Sequence, residues 1–515
     1  MRIGKHESWK IATSKATAIA IATGIILYLA LIATLPWHMD EYIMFHRLAC
    51  LDSIQPFNNF EHSCFRPDLR FNLPLGLSYE RSFSYGGIAS SLIQAPFQAI
   101  WDNLETPRIV GFFFLIASGF GISRSFRLGK TGTVLTCLWF PIAYSLIHDG
   151  GPVRISFLTL SWTPFICNKF AQAKKPAFQI SLAIALSLLW AFSAEDKPYF
   201  FYLIPGSFAL TYASIAATRG SAVYLVHTRR ILIVLAIATV FASALVLLAD
   251  VNGSPYFSYL ADQVKVDRIR SFSHTIRLLF DFPEQAERII ESNFATKTLS
   301  AISIMLSLLA YTVAIYRLKK KDSSQNLRLT LLLTSVGLFW LFGWIAGGRF
   351  HHHFVFAQIP AIVIFSDAIR ASNFGFGKTQ NVLALPAIII ALNLFSLSAV
   401  YAAPKNHYFS SSAFMNVISK GIESSPPNTI INCSSWGCYY SHSLAGNMDH
   451  PVVWANDEAS MKSLGSTASA NNSHILHICY ACDLKSIKPF YKQFTLSSSF
   501  QENGWSVAQF SPNRH

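Results

Sequence analysis

The stretch LPWHMDEYIMFHRL, residues 35–48, sets two adjacent carboxylates, Asp40 and Glu41, directly after a long apolar run. Charge at the edge of such a run is costly unless a hydrated interface or a function holds it there. Three other segments place ionisable groups in the same way. HDGGPVR, residues 148–154, offers Asp149 and Arg154. SAEDKPYF, residues 193–200, offers Glu195, Asp196 and Lys197, and GGRFHHHF, residues 347–354, sets Arg349 beside His351, His352 and His353. A carboxylate at such a position can take a proton from an acceptor hydroxyl, and cations can hold a departing phosphate. Each feature also has a plainer reading. Asp and Gly favour tight turns, Glu195 can simply pair with Lys197, and consecutive histidines on a helix diverge, so that they cannot all chelate one ion.

The elements that must position these groups are apolar runs of membrane-crossing length. Hydrophobic residues make up 52% of the 515 and charged residues only 13%, with a mean hydropathy of +0.36, a composition of membrane proteins rather than of several soluble domains. The first run, roughly residues 16–37, follows a basic start and ends in Leu-Pro-Trp-His without a small-residue cleavage site, so it reads as a retained span and not a signal peptide. Further runs centre near residues 118, 140, 161, 185, 208, 239, 308, 338, 361 and 391. The fold class expected is therefore an α-helical polytopic membrane protein of about 11 transmembrane helices. The N-terminus would be cytoplasmic and the C-terminus outside, with a small C-terminal α/β soluble domain.

Charge tests that topology independently. The N-terminal tail and the segments after the even-numbered spans, such as RSFRLGK, NKFAQAKKP and RLKKKDSSQNLR, hold twenty of the 41 lysines and arginines but only two of the 27 acids, Glu7 and Asp322. This is the positive-inside pattern. It accounts for the net charge of +14 without a nucleic-acid partner, and none is expected.

Three outer segments are too long to be connectors: residues 38–106, 250–298 and 403–515. The first two are assigned with the spans to a membrane domain, 1–402, and the last to an extracytoplasmic domain, 403–515. In the second, Ile269, Phe272, Ile276 and Leu279 recur at helical spacing between Arg268, Arg270 and Arg277, the pattern of a helix lying on the membrane surface. The tail alternates strand-like runs, NTIINC and HILHIC, with turns. Cys50, Cys64, Cys433, Cys438, Cys479 and Cys482 fall outside, where disulfides persist, while Cys137 and Cys167 lie within spans. Cys50 with Cys64 is the first pairing expected, and the last four allow three connectivities. The spacings CSSWGC and CYAC also admit zinc or redox chemistry.

The order of these features carries a resemblance. A span followed by an outer Asp-Glu, then SYGGIASSLIQAPF (residues 84–97) and RIVGFFFLIASGFGISRSFRLGK (residues 108–130), resembles the opening of the GT-C membrane glycosyltransferases. Within them it is most similar to the protein O-mannosyltransferase and lipid A aminoarabinose transferase branch, chiefly over the first 200 residues or so. The resemblance implies that Asp40 is the catalytic base with Glu41 beside it, and that Asp149 is a second carboxylate. It also implies that Lys197 and Arg349 face the phosphate of a polyprenyl-phosphate sugar donor. The residues argue the same way: the lipid tail must stay in the bilayer while its phosphate sits at headgroup level, the depth expected for Asp40, Asp149, Lys197 and Arg349.

The function expected is an inverting transfer of a sugar from that donor to an envelope glycan, lipid or protein, on the extracytoplasmic face of a bacterial inner membrane. Asp40 would be the base, Asp149 its assistant, and Arg154, Lys197 and Arg349 the phosphate ligands. Two close carboxylates can also bind Mg²⁺ or Mn²⁺, so a divalent metal is left open. Two other classes compete. A secondary transporter would show repeated halves and spans broken at the midplane, whereas no internal repeat is evident. A non-catalytic envelope scaffold would survive exchange of Asp40 for Asn.

Overall fold

The computed structural model describes residues 106–147, 153–197, 199–216, 221–251, 323–345, 355–371, 412–434, 457–480, 482–502 and 504–513. It also describes short pieces at 70–72, 78–80 and 452–453 and isolated positions between. The chain divides into two compact units. One comprises Met1–Leu35, Arg108–Asp250 and Pro255–Ala403, and the other Pro36–Pro107, Val251–Ser254 and Pro404–His515.

The first unit is a helical bundle. Helix α1 (Thr106–Phe126) is followed by α2 (Gly129–Leu138) and α3 (Phe140–Ile147), which are two halves of one run. Then come α4 (Arg154–Gln172), α5 (Pro176–Asp196), α6 (Phe200–Ala216), α7 (Ser221–Val251), α8 (Ser323–Ile345) and, through a 3₁₀ turn at Val355–Ala357, α9 (Gln358–Ala371). The expected centres at 118, 140, 161, 185, 208, 239, 338 and 361 fall inside these elements, while those at 308 and 391 lie outside the described residues. Among the described residues four helices are long and apolar enough to cross a membrane: Thr106–Phe126, Pro176–Asp196, His227–Leu247 and Gln325–Gly343.

The α2–α3 run breaks at Trp139, whose backbone is extended (φ −77°, ψ 103°). The indole N–H of Trp139 donates to Gln358 Oε1 at 2.8 Å, so the irregular backbone is buried against α9 rather than open to lipid. Helix α4 is buried almost all round and is rich in hydroxyls, each of which needs a partner there. Ser161 and Thr163 donate to the carbonyls one turn back, Thr159 Oγ1 meets Ser193 Oγ of α5 at 2.7 Å, and the Trp190 indole donates to Thr163. At Gly206 a Cβ would lie 2.5 Å from the Phe339 ring, so glycine is what lets α6 and α8 approach closely enough for Ser335 to donate to the Gly206 carbonyl at 3.1 Å.

The second unit holds a hairpin, β1 (Arg70–Asn72) with β2 (Ser78–Glu80), and the folded tail. The tail contains α10 (Ser412–Glu423), β3 (Thr429–Cys433), β4 (Val452–Val453), α11 (Glu458–Ala470), β5 (His474–Tyr480), α12 (Leu484–Ile487), β6 (Phe494–Glu502) and β7 (Trp505–Pro512). The five strands order as β4-β3-β5-β7-β6. The first three are mutually parallel, β7 runs antiparallel to β5, and β6 antiparallel to β7. The runs NTIINC and HILHIC, read as strands, are β3 and β5. They are apolar on both faces because both faces are covered. Leu476 and Val507 meet Gly421 of α10 on one side, while Ile430, Ile475 and Phe510 pack with Met461 and Leu464 of α11 on the other.

Inside the α11 face lies a polar cluster. Asn432 Oδ1 accepts from the Ala455 N–H at 2.9 Å, its Nδ2 donates to Tyr491 Oη at 3.0 Å, and His477 Nδ1 sits 3.0 Å from Asn432 and 3.1 Å from Tyr491. His477 Nε2 is buried with no hydrogen-bond partner. Burial holds this imidazole well below its usual value, at about 4, and pushes the Tyr491 phenol up.

Cys479 is bonded to Cys482, and Cys433 is also in a disulfide, with a partner outside the described residues. Sulfurs so paired present no thiolate to zinc. Cys137 and Cys167 are free and buried in the bundle.

Candidate active site

Alternation of helix direction decides which side chains can meet. Thr159 is bonded to Ser193, so the start of α4 and the end of α5 lie at one end of the bundle. Arg154 stands five residues beyond that contact and Asp196 three. At 1.5 Å per residue the two are offset along the axes by only about 3 Å. Phe356 packs at 6.3 Å from Phe157 and 5.9 Å from Phe342, and Phe342 packs at 5.1 Å from Tyr199. The starts of α6 and of the α9 segment therefore share the same end. Gly111 of α1, packed against Leu146 and Arg154, brings Arg108 there too. The opposite end is the basic one: Arg230 donates to Ala171 O, Arg328 pairs with Asp367 at 3.1 Å over the Phe126 ring, and Arg124, Arg127, Lys174 and Lys175 are exposed.

Helix starts and helix finishes alternate at both ends, so their dipoles largely cancel, and the field at the first end falls to side chains. Arg108, Arg154, Asp196 and Lys197 are all buried there, with Glu195 half-buried. Four ionisable groups at this depth are costly unless they are mutually compensated, and each makes further contacts in the structure. Lys197 owes its place to the sequence. The residue before proline is driven out of the helical region, so Lys197, ahead of Pro198, turns extended (φ −146°, ψ 112°) and ends α5. Its N–H still donates to Ser193 O and its carbonyl accepts from Phe200 N, both at 3.0 Å, which ties α5 to α6. Asp196 sits at the negative end of its own helix and is 1% exposed, two costs that a surface turn would not incur.

Arg154, expected among the phosphate ligands, has two backbone partners at the end of α3. It is 1% exposed, its Nε donates to Leu146 O at 2.7 Å, and its Nη2 donates to Ile147 O at 2.9 Å. These are two of the orphan carbonyls that end α3. Sequence reasoning passed over Arg108, although an arginine in the first turn of an apolar helix was the signal. It named Asp196 only as a neighbour of Lys197. Asp40, Glu41, Asp149, Arg349 and the amphipathic stretch at 268–280 lie outside the described residues. Among the described residues no group of three or more His, Cys, Asp or Glu is placed to hold a metal ion. The carboxylates that the Mg²⁺ or Mn²⁺ alternative needs are among those outside.

No family model and no curated protein matches the chain. Solved structures do. ArnT from Cupriavidus metallidurans in the apo state superposes with a TM-score of 0.60 at 8% identity, covering 97% of this chain and 98% of that one. The fold is ArnT-like. A second ArnT structure, bound to undecaprenyl phosphate, superposes with a TM-score of 0.54 at 8% identity over 96% of this chain and 98% of that one. The likeness expected from short motifs near the N-terminus is, at the level of the fold, a likeness to ArnT over nearly the whole chain. Four of its described helices are long and apolar enough to cross a membrane. At 8% identity ArnT assigns no residue of this chain a role.

Proposed function

We infer that this protein is an inverting membrane glycosyltransferase, moving a sugar from a polyprenyl-phosphate donor to an acceptor on the extracytoplasmic face of a bacterial inner membrane. The observation that carries this reading is the near full-length ArnT-like fold, one ArnT structure holding undecaprenyl phosphate. The buried charged end of the bundle supports it, because a lipid phosphate arriving from the bilayer needs fixed cations at the headgroup boundary, opposite the basic end that faces the cytoplasm. Lys197, buried at this end of the bundle, and Arg349 hold the departing phosphate. Asp40 removes the acceptor's hydroxyl proton, with Glu41 and Asp149 assisting, and direct attack on the anomeric carbon inverts it.

The test is reconstitution in liposomes with labelled polyprenyl-phosphate sugars and envelope glycans, lipids or proteins as acceptors. Transfer by the native protein and a loss of about a hundred-fold or more in Asp40→Asn are expected, the contribution of a general base. Unchanged turnover in Asp40→Asn would remove Asp40 from the mechanism. Uptake of solute without sugar transfer would replace the reading with transport.

A further inference from the structure

At the basic end of the bundle, cations gather where the chain supplies no acid to answer them. Residues 154–194 and 197–249 contain neither Asp nor Glu, and these stretches hold the link between α4 and α5 and most of α7. Among the described residues, Lys174, Lys175 and Arg229 are exposed and make no ion pair. Arg230 draws the two segments together, its Nη1 donating to Ala171 O at 3.2 Å in the last turn of α4. The chain from Ala171 to Lys174 spans at most about 11 Å, so lysines and arginines meet around one helix end. The link is held in a set shape. Ala173 and Lys175 are both extended, the latter ahead of Pro176, and Gln179 Nε2 donates back to Ala173 O at 2.8 Å. With no acid in the first turn of α5, the positive end of that helix adds to the field of the lysines.

Apolar surface begins within one turn of each cation pair. Phe178, Ile180 and Ile184 of α5 are exposed, as are Ile233, Ile237 and Phe241 of α7, and both helices are long and apolar enough to cross a membrane. Cations bordering such faces complement an amphiphile with an anionic head, whereas a free anion would use the charge alone. We propose that the end of α4, with Lys174, Lys175, Arg229 and Arg230, binds an anionic phospholipid of the phosphatidylglycerol class. Its phosphodiester sits among the four cations, and its acyl chains lie on the exposed faces of α5 and α7. Phosphatidylcholine carries the same phosphodiester but neutralises it with its own ammonium, so it gains little there. A lipid bound in this way joins α5 to α7 across the end of α4. The site stands at the opposite end of the bundle from Lys197 and does not depend on the transferase reading.

The test is native mass spectrometry of the full-length protein in detergent, titrated with dioleoyl phosphatidylglycerol, dioleoyl phosphatidylcholine or inorganic phosphate. The first phosphatidylglycerol is expected to bind about ten-fold or more tightly than phosphatidylcholine. Lys174→Gln and Arg229→Gln should each weaken it about five-fold, and together about thirty-fold, the effect of one and of two cations beside an anionic headgroup. Phosphatidylcholine binding should not move. Arg124→Gln removes an exposed arginine at the same end of the bundle but from the last turn of α1, and it should shift phosphatidylglycerol binding by less than about two-fold, since distant surface charge is screened. All three side chains are exposed, so these exchanges leave the packing intact. Equal losses at Arg124, Lys174 and Arg229 would mean general attraction to a basic surface and would overturn the site. Equal affinity for the two lipids would overturn it as well. Displacement of phosphatidylglycerol by inorganic phosphate would overturn the choice of a lipid in favour of a free anion.

Discussion

The cluster around His477 converts acidity into loss of structure in the folded tail. Its imidazole has an ordinary value of 6.5 and is held at about 4 in the fold by burial. The unfolded chain therefore binds the proton more readily than the folded one between those two values. Stability from keeping this ring neutral is complete above pH 6.5 and is lost as pH falls toward 4. The full displacement is worth about 3 kcal/mol. By pH 5 about 2 kcal/mol of it has gone, a fall of about thirty-fold in the protection of amides that exchange through opening of this unit. The groups facing His477 are the Asn432 amide and the Tyr491 phenol, neither of which gains charge over this range. The assay is hydrogen exchange of the full-length protein in detergent, read by mass spectrometry on peptides spanning β3 and β5 between pH 7.5 and 4.5. Rates are corrected for the intrinsic pH dependence of exchange and compared with His477→Gln. Native protection should fall more steeply than that of the variant by about thirty-fold at pH 5. Parallel profiles would refute the reasoning, because other carboxylates titrate identically in both chains.

Two further outcomes are expected. Gly206→Ala drives a methyl into the Phe339 ring and should destabilise the bundle by about 1–3 kcal/mol, read as earlier thermal unfolding in detergent, with no comparable loss in Gly337→Ala, where a Cβ meets nothing. Reduction of the Cys479–Cys482 disulfide opens a loop of only a few residues and should cost the tail roughly 2 kcal/mol. Alkylation mapped by mass spectrometry, with exchange of β5 measured alongside, checks both the pairing and its effect.

The bundle was legible because its signals are local. Runs long enough to cross hydrocarbon, separated by basic segments at every second break, place α1 through α9 without knowledge of any contact. The Lys197–Pro198 step likewise announces the end of α5. The grip of Arg154 on the Leu146 and Ile147 carbonyls was not legible, since it depends on where α3 ends and on Gly111, forty-three residues away in sequence. Pro141 could have flagged the break at Trp139, but its partner, Gln358, is fixed only by tertiary packing. In the tail the strands β3 and β5 could be read from their β-branched runs. Their mixed order depends on long-range pairing that periodicity does not encode.

The three-residue link between α4 and α5, with Lys174 and Lys175 in it, bears on how the chain is made. The Thr159–Ser193 and Thr163–Trp190 bonds join that pair through its inner face. A helical hairpin joined by such internal hydrogen bonds can leave the translocation machinery as one body. Such a pair would give later segments a finished surface to assemble upon.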